Sequence, residues 1–229
     1  MKGIAGIIPV SMIDFEGKIA CVIFFSGCNF RCSYCHNPEL IDGKETGEVK
    51  EEDVFSYLES KKKWLDGVSI TGGEPLLNKD IIEFISKIKK IGLLVKLDTN
   101  GTSPDLVKKL IDEKLIDYIA MDIKAGEEDY ERITGVKVDI SKIKKTIRVI
   151  MNSGIKYEFR TTLVPGLIGV EDIKKAGKLI EGAKLWYIQN FNNEKNLDRK
   201  LSKIEPYLMP EMEKMKIEAE KYAEEARIR

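Results

Sequence analysis

No apolar run in this 229-residue chain approaches the ~20 residues of a membrane span, which excludes an ordinary spanning helix. Charge of neither sign is in excess: 38 lysines and arginines stand against 38 aspartates and glutamates. That balance lacks the basic footprint of a nucleic-acid or other polyanion binder. No stretch rich in proline, glycine or serine marks a linker, and no internal repeat is visible. One domain over residues 1–229 is therefore expected. The apolar N-terminus, Met1-Lys-Gly-Ile-Ala-Gly-Ile-Ile-Pro-Val10, is short and lacks a small-residue cleavage site, so the expected location is cytoplasmic. Cysteine is scarce, with four in the chain, and histidine occurs once. Without a secretory segment, thiols stay reduced and disulfides are not expected.

Three of those four cysteines are gathered in Ser26-Gly-Cys-Asn-Phe-Arg-Cys-Ser-Tyr-Cys-His-Asn-Pro38. Cys28, Cys32 and Cys35 have the spacing C-x3-C-x2-C, with Tyr34 directly before the last. Three close thiolates suit three irons of a four-iron cluster. The fourth iron is then open to a small molecule, which a cluster used only for electron transfer does not need. A structural zinc site is the alternative. It asks for four ligands, and His36 would be the fourth, although its adjacency to Cys35 makes joint chelation awkward. Cys21, outside the motif, reads as a buried thiol.

Apolar runs alternate with amphipathic stretches along the rest of the chain. The predicted strands are residues 19–25, 67–71, 93–98, 118–123, 156–164 and 185–189. The predicted helices are 50–62, 79–90, 104–113, 141–152, 170–181 and 210–227, with Asn78 read as capping the second and Ser103-Pro104 opening the third. Six β–α units in series predict a parallel sheet of the α/β class. Six is short of the eight of a full TIM barrel, so an open, partial (β/α)6 barrel is expected. The charged helix over 210–227 would pack on the barrel edge. The irregular stretches 125–138 and 190–210 are candidates to cover the open side.

Every unusual cluster falls at the C-terminal end of a predicted strand, the edge that carries active sites in parallel α/β folds. After the cysteine segment come Thr71-Gly-Gly-Glu-Pro75, Asp98-Thr-Asn-Gly101, Met121-Asp-Ile-Lys124, Arg160 with the strand exit to Gly166, and Gln189-Asn-Phe191. Gly72 and Gly73 permit close backbone approach, or simply make a tight turn. Asp98 and Asp122 need counter-charges if buried. Lys124 and Arg160 either serve a ligand or form salt bridges with those two aspartates.

Taken together, these motifs resemble the radical S-adenosylmethionine (SAM) superfamily. Cys-His-Asn-Pro after the third cysteine narrows the resemblance to glycyl-radical-enzyme activating enzymes, most similar to those serving anaerobic ribonucleoside-triphosphate reductase. It covers roughly residues 14 to 191 and implies a radical SAM core. It implies a 4Fe–4S cluster on Cys28, Cys32 and Cys35, whose open iron chelates SAM. Cleavage then yields methionine and a 5′-deoxyadenosyl radical, which takes hydrogen from a glycine of the partner enzyme. Gly72 and Gly73 would meet the methionine amino group, with Glu74 orienting the turn. Tyr34 and His36 would lie at the adenine. Asn100, Lys124, Arg160 and Gln189 would line the remainder of the cofactor. In one similar branch the positions of Asp98 and Asp122 hold a monovalent cation. An electron donor such as flavodoxin or ferredoxin is implied. The alternative is a radical SAM enzyme acting on a small molecule.

Two departures stand out. Where many activases have Asp-Gly-Pro-Gly, this chain has Asp14-Phe-Glu-Gly-Lys18. Where the family often has histidine, it has Gln189, which hydrogen-bonds but does not titrate near neutral pH. No further cysteine block is present to hold a second cluster. Iron loading checks the motif: Cys28→Ala, Cys32→Ala or Cys35→Ala should abolish uptake of about four irons per chain, and Cys21→Ala should leave it intact. Zinc taken up in place of iron would refute the cluster.

Overall fold

The computed structural model describes residues 3–43 and 49–229. It resolves two compact units: Met1–Asn29, Glu39–Thr99 and Asp105–Ile119 form the first, and Phe30–Pro38, Asn100–Pro104 and Ala120–Arg229 the second. Met1 and Lys2, part of the apolar N-terminal stretch, lie outside the described residues.

In the first unit β1 (Ile4–Ser11) pairs antiparallel with β2 (Ala20–Phe25), Ile7 opposite Ile23. The sequence patterning did not predict β1, because glycine and proline interrupt its alternation. Pairing with a strong apolar neighbour makes it a strand. α1 (Glu51–Lys61) starts on three acidic residues, which suit the positive end of a helix. β3 (Gly67–Gly72) runs parallel to β2, with Ile23 opposite Ile70. α2 (Ile81–Ile91) leads to β4 (Leu94–Thr99), parallel to β3 with Val68 opposite Val95. α3 (Pro104–Asp112) opens on proline, whose missing N–H costs nothing there. β5 (Tyr118–Asp122) begins in this unit with Tyr118 and Ile119, and its remaining residues belong to the second. The inner strands are buried on both faces, as helix-covered parallel strands are. Phe84 of α2 lies between Phe25 and Phe55, at ring-centroid distances of 5.5 and 5.2 Å.

The second unit continues with α4 (Tyr130–Thr134), α5 (Ile140–Met151), β6 (Lys156–Leu163), α6 (Val170–Leu179), β7 (Trp186–Asn190), α7 (Met209–Ala219) and β8 (Ala226–Ile228). β6, β7 and β8 are parallel, with Phe159 opposite Trp186 and Trp186 opposite Ala226. Trp186 is fully buried, and its indole N–H donates to Thr161 Oγ1 at 3.0 Å.

Two readings of the patterning are corrected. The helix expected over 210–227 ends at Ala219, and the chain returns as β8. Residues 221–229 have helical propensity, but tertiary contacts win. Arg229 N–H donates to Ile188 O at 3.0 Å, and its guanidinium lies 3.8 Å from the Tyr187 ring centroid and 3.2 Å from the buried Glu158 carboxylate. Asn78 does not cap α2. Asp80 holds the cap position, and Asn78 Oδ1 accepts from Asp80 N–H at 3.0 Å, shaping the approach.

Phe84→Ala should cost about 3–5 kcal/mol, since it empties the space between Phe25 and Phe55. Urea unfolding of the variant measures that loss; a loss under about 1 kcal/mol would mean the ring is not a core element.

Candidate active site

The first unit fastens the exits of β2 and β3 together. Gly73 N–H donates to Phe25 O at 2.8 Å, and Glu74 N–H donates to Gly27 O at 2.7 Å. Cys28 is held from its other side, its N–H donating to Ile41 O at 3.0 Å. Gly72 has φ +124°, and a Cβ there would lie 2.3 Å from the Phe25 backbone. A Cβ on Gly73 would lie 2.2 Å from Gly27 O and 3.3 Å from Cys28 Cβ. Neither position admits a side chain, so two bare peptides stand directly beside Cys28. Glu74 is 1% exposed. Its carboxylate accepts from Leu76 N–H at 3.1 Å and from Thr99 Oγ1 at 2.9 Å, which caps the turn and ties it to the end of β4. Asp98, one residue before Thr99, pairs with Lys96.

Ser11, at the end of β1, fastens the Asp14–Lys18 departure. Its hydroxyl donates to Asp14 at 2.5 Å and accepts from Ile13 N–H at 3.2 Å. This loop precedes β2, whereas Cys28 follows it, so the two sit at opposite ends of that strand. Cys21, within β2, is fully buried, and burial pushes its thiol up to about 12. It remains a core thiol.

In the second unit the end of the cysteine segment is gripped from two sides. Arg31 N–H donates to Thr134 O at 2.7 Å, and Asp198 N–H donates to Ser33 O at 2.8 Å. The stretches that look irregular in sequence, 125–138 and 190–210, thus each supply a clamp. Cys35 N–H closes a turn on Cys32 O at 3.1 Å. Burial raises the Cys32 thiol above its ordinary range, and the nearby Lys124 charge opposes that rise. Burial likewise raises the Tyr34 phenol. Lys124 Nζ sits 5.9 Å from the Tyr34 ring centroid. The Tyr34 hydroxyl is buried and has no hydrogen-bond partner among the described residues. His36 is exposed at its surface; partial desolvation, then the Lys124 charge, lower its pKa.

Lys124 and Arg160 share one carboxylate. Lys124 Nζ lies 2.8 Å and Arg160 Nε 2.9 Å from the two oxygens of Asp122. Burial alone would raise the Asp122 carboxyl, but the two cations overcome it and hold it at about 2. Burial would lower the Lys124 ammonium; Asp122 first, then Tyr34 and Cys32, hold it well above its usual value. Tyr130, unremarked in the sequence reading, accepts from Lys124 N–H through its hydroxyl at 3.3 Å. Asn100 shapes its own loop, accepting from Thr102 N–H at 3.1 Å and Thr102 Oγ1 at 2.8 Å. Gln189, half-buried on β7, is the register partner of Thr162.

These residues fit the iron–sulfur cluster and SAM. Cys28, Cys32 and Cys35 form no disulfide. The turn at Gly73 packs its bare backbone against Gly27 and Cys28, where a Cβ would clash, and Tyr34, the residue before Cys35, carries an orphaned buried hydroxyl. Among the described residues, no three His, Cys, Asp or Glu side chains converge on a single-ion site. A cluster that distributes its thiolates over separate irons does not require that. Asp98 and Asp122 each already face a protein cation.

The Asp122 shift has a pH signature. Its folded value of about 2 lies below the ordinary 3.8. The stabilisation is therefore complete above about pH 4 and is lost as pH falls toward 2, an effect on the order of 2 kcal/mol. Asp122→Asn should flatten urea-derived stability over that window and lower it at neutral pH, where Lys124 and Arg160 lose their partner. An unchanged pH profile would show that another carboxylate governs acid stability.

Comparison with known proteins supplies the family. Residues 22–180 match the Radical SAM superfamily. A Methanocaldococcus jannaschii protein assigned to glycyl-radical-enzyme activation is 35% identical over 99% of this chain and 95% of its own length. The pyruvate formate-lyase-activating enzyme of Clostridium pasteurianum is 31% identical over 80% of this chain and 78% of its own. Among solved structures, SuiB of Streptococcus suis bound to SAM aligns with a TM-score of 0.66 at 15% identity, over 91% of this chain and 51% of that one. Escherichia coli HemN, a radical SAM enzyme, aligns at 0.58 and 13%, over 85% and 49%. The chain thus spans about half the length of those two structures, which show its fold: an α/β partial barrel. The cofactors of this fold family are a 4Fe–4S cluster and SAM. The chain belongs to the radical SAM superfamily and, within it, to the glycyl-radical-enzyme activating enzymes.

Proposed function

We propose that the glycyl-radical enzyme this chain activates is an anaerobic ribonucleoside-triphosphate reductase, with a flavodoxin or ferredoxin supplying the electron. The Cys35-His-Asn-Pro38 string supports the activating branch, and the reductase partner follows from the likeness of the later motifs to that branch. A lyase partner is the second reading, favoured by the relative named for pyruvate formate-lyase activation.

Cys28, Cys32 and Cys35 hold the cluster in this reading. The observation that supports cofactor binding is the close packing of the bare Gly72–Gly73 turn against Gly27 and Cys28, which sets that turn at the edge of the cysteine segment. There the backbone of Gly72 and Gly73 takes the methionine amino group, and Glu74 keeps the turn in place from below. Tyr34 and His36 flank the adenine. Lys124 and Arg160, fixed on Asp122, present cationic donors to the carboxylate and ribose. Asn100 and Gln189 add neutral hydrogen-bonding groups. Asp98 lines the same cofactor site at the end of β4. With cluster and SAM bound, the chemistry supplied is one-electron cleavage of the sulfonium, giving the 5′-deoxyadenosyl radical that takes hydrogen from the partner glycine. The protein's own contribution is to bind, orient and exclude water.

Gly73→Val should abolish SAM binding measured by equilibrium dialysis and perturb the visible absorption of the cluster, since its side chain would displace Gly27 and Cys28. Retained binding would reduce the Gly-Gly-Glu-Pro stretch to a turn. The partner is decided by incubating reduced, SAM-loaded protein with each candidate enzyme. A glycyl-radical paramagnetic resonance signal in the reductase supports the reading, and a signal only in the lyase transfers it there.

A further inference from the structure

The functional reading uses Asp98 and leaves out the residue that holds it. Lys96 precedes Asp98 by two on β4, so both side chains leave the strand on the same face. Lys96 is 3% exposed, and its ammonium pairs with the Asp98 carboxylate. Its register partner on β3 is Ser69, fully buried, whose hydroxyl donates to Asp14 O at 3.4 Å. The flanking Val95 and Leu97 are also fully buried. A lysine at this depth is unfavourable unless its charge is matched and used; a leucine would serve the sheet better. The next residue after Asp98 is Thr99, which holds Glu74 and through it the Gly72–Gly73 turn. The pair therefore stands one peptide away from the network that shapes the cofactor turn.

We propose that Lys96 is a positioning residue of the SAM site, a built-in counter-cation that neutralises Asp98 and aims it at the C-terminal end of β4. No bound metal cation is then required beside Asp98, because the ammonium is covalently tethered to the same strand. An ammonium has three donors, so the group that neutralises Asp98 also presents hydrogen-bond donors. This inference rests on the reading that Asp98 lines the cofactor site.

The test removes the tether and returns the ion. Lys96→Ala removes the tethered ammonium beside the carboxylate, and a free ammonium ion can take its place. Thermal unfolding of the full chain and equilibrium SAM binding to the reconstituted protein are measured in ammonium chloride and in tetramethylammonium chloride at equal ionic strength. Lys96→Ala should lower Tm and weaken SAM binding at least tenfold. Ammonium should restore both, whereas the bulkier ion should not. Lys96→Ala with Asp98→Asn should lose the ammonium response, having no carboxylate to neutralise. Lys96→Met, which fills the space without charge, provides a second variant should the alanine protein fail to fold, and should bind SAM weakly with no ammonium response. Wild-type affinity in a folded Lys96 variant, or equal effects of the two salts on the unfolding of Lys96→Ala, would overturn the inference. Wild-type protein that fails to bind SAM would instead overturn the functional reading, and the unfolding measurements would still decide whether Lys96 is the counter-cation.

Discussion

The contact between the β3 exit and the backbone that follows β2 is the constraint on which the site depends. Gly73 and Glu74 donate to Phe25 O and Gly27 O at 2.8 and 2.7 Å. Side chains at positions 72 and 73 would overlap the opposing backbone at 2.3 and 2.2 Å. Those bonds form only when the two strands meet without side chains between them. The glycines thus do more than relax the turn: they bring backbone polar groups and Cys28 to one place, with Glu74 supporting the turn from below through Thr99.

Electrostatics in the second unit follow a different rule. Asp122 is a buried acid matched by two cations, Lys124 and Arg160. An isolated buried charge is costly, while a matched and hydrogen-bonded set is tolerated. Sharing one carboxylate fixes the positions of both cations. The pairing holds both cations in place within the protein, without recruitment from solvent. Lys124 also raises no barrier to a charged neighbour: it counteracts the effect of burial on Cys32 and Tyr34.

The cysteine segment itself has little regular structure. Its shape comes from outside, through Thr134 O, Asp198 N–H and Ile41 O. α4 is a single short helix, too brief to be stable alone. It is ordered by packing, with Tyr130 fully inside and its ring 6.5 Å from that of Phe30.

The sequence by itself determined six of the strands, the principal helices and the residues at the strand ends. Apolar runs of strand length and the C-x3-C-x2-C spacing are local signals, readable without coordinates. It also narrowed Lys124 and Arg160 to cofactor ligands or partners of an aspartate. Tertiary structure alone decided that both converge on Asp122, that Asp98 belongs to Lys96, and that Tyr130 braces Lys124. It also ended the expected helix 210–227 at Ala219, turned its last two residues into part of β8, and made β1 pair with β2. Each of these depends on groups brought together from distant parts of the chain, or on which face of a strand is buried. Local propensity carries no information about which face of a strand is buried, and so Lys96, which reads in sequence as one more lysine, acquires its meaning only when β4 is packed.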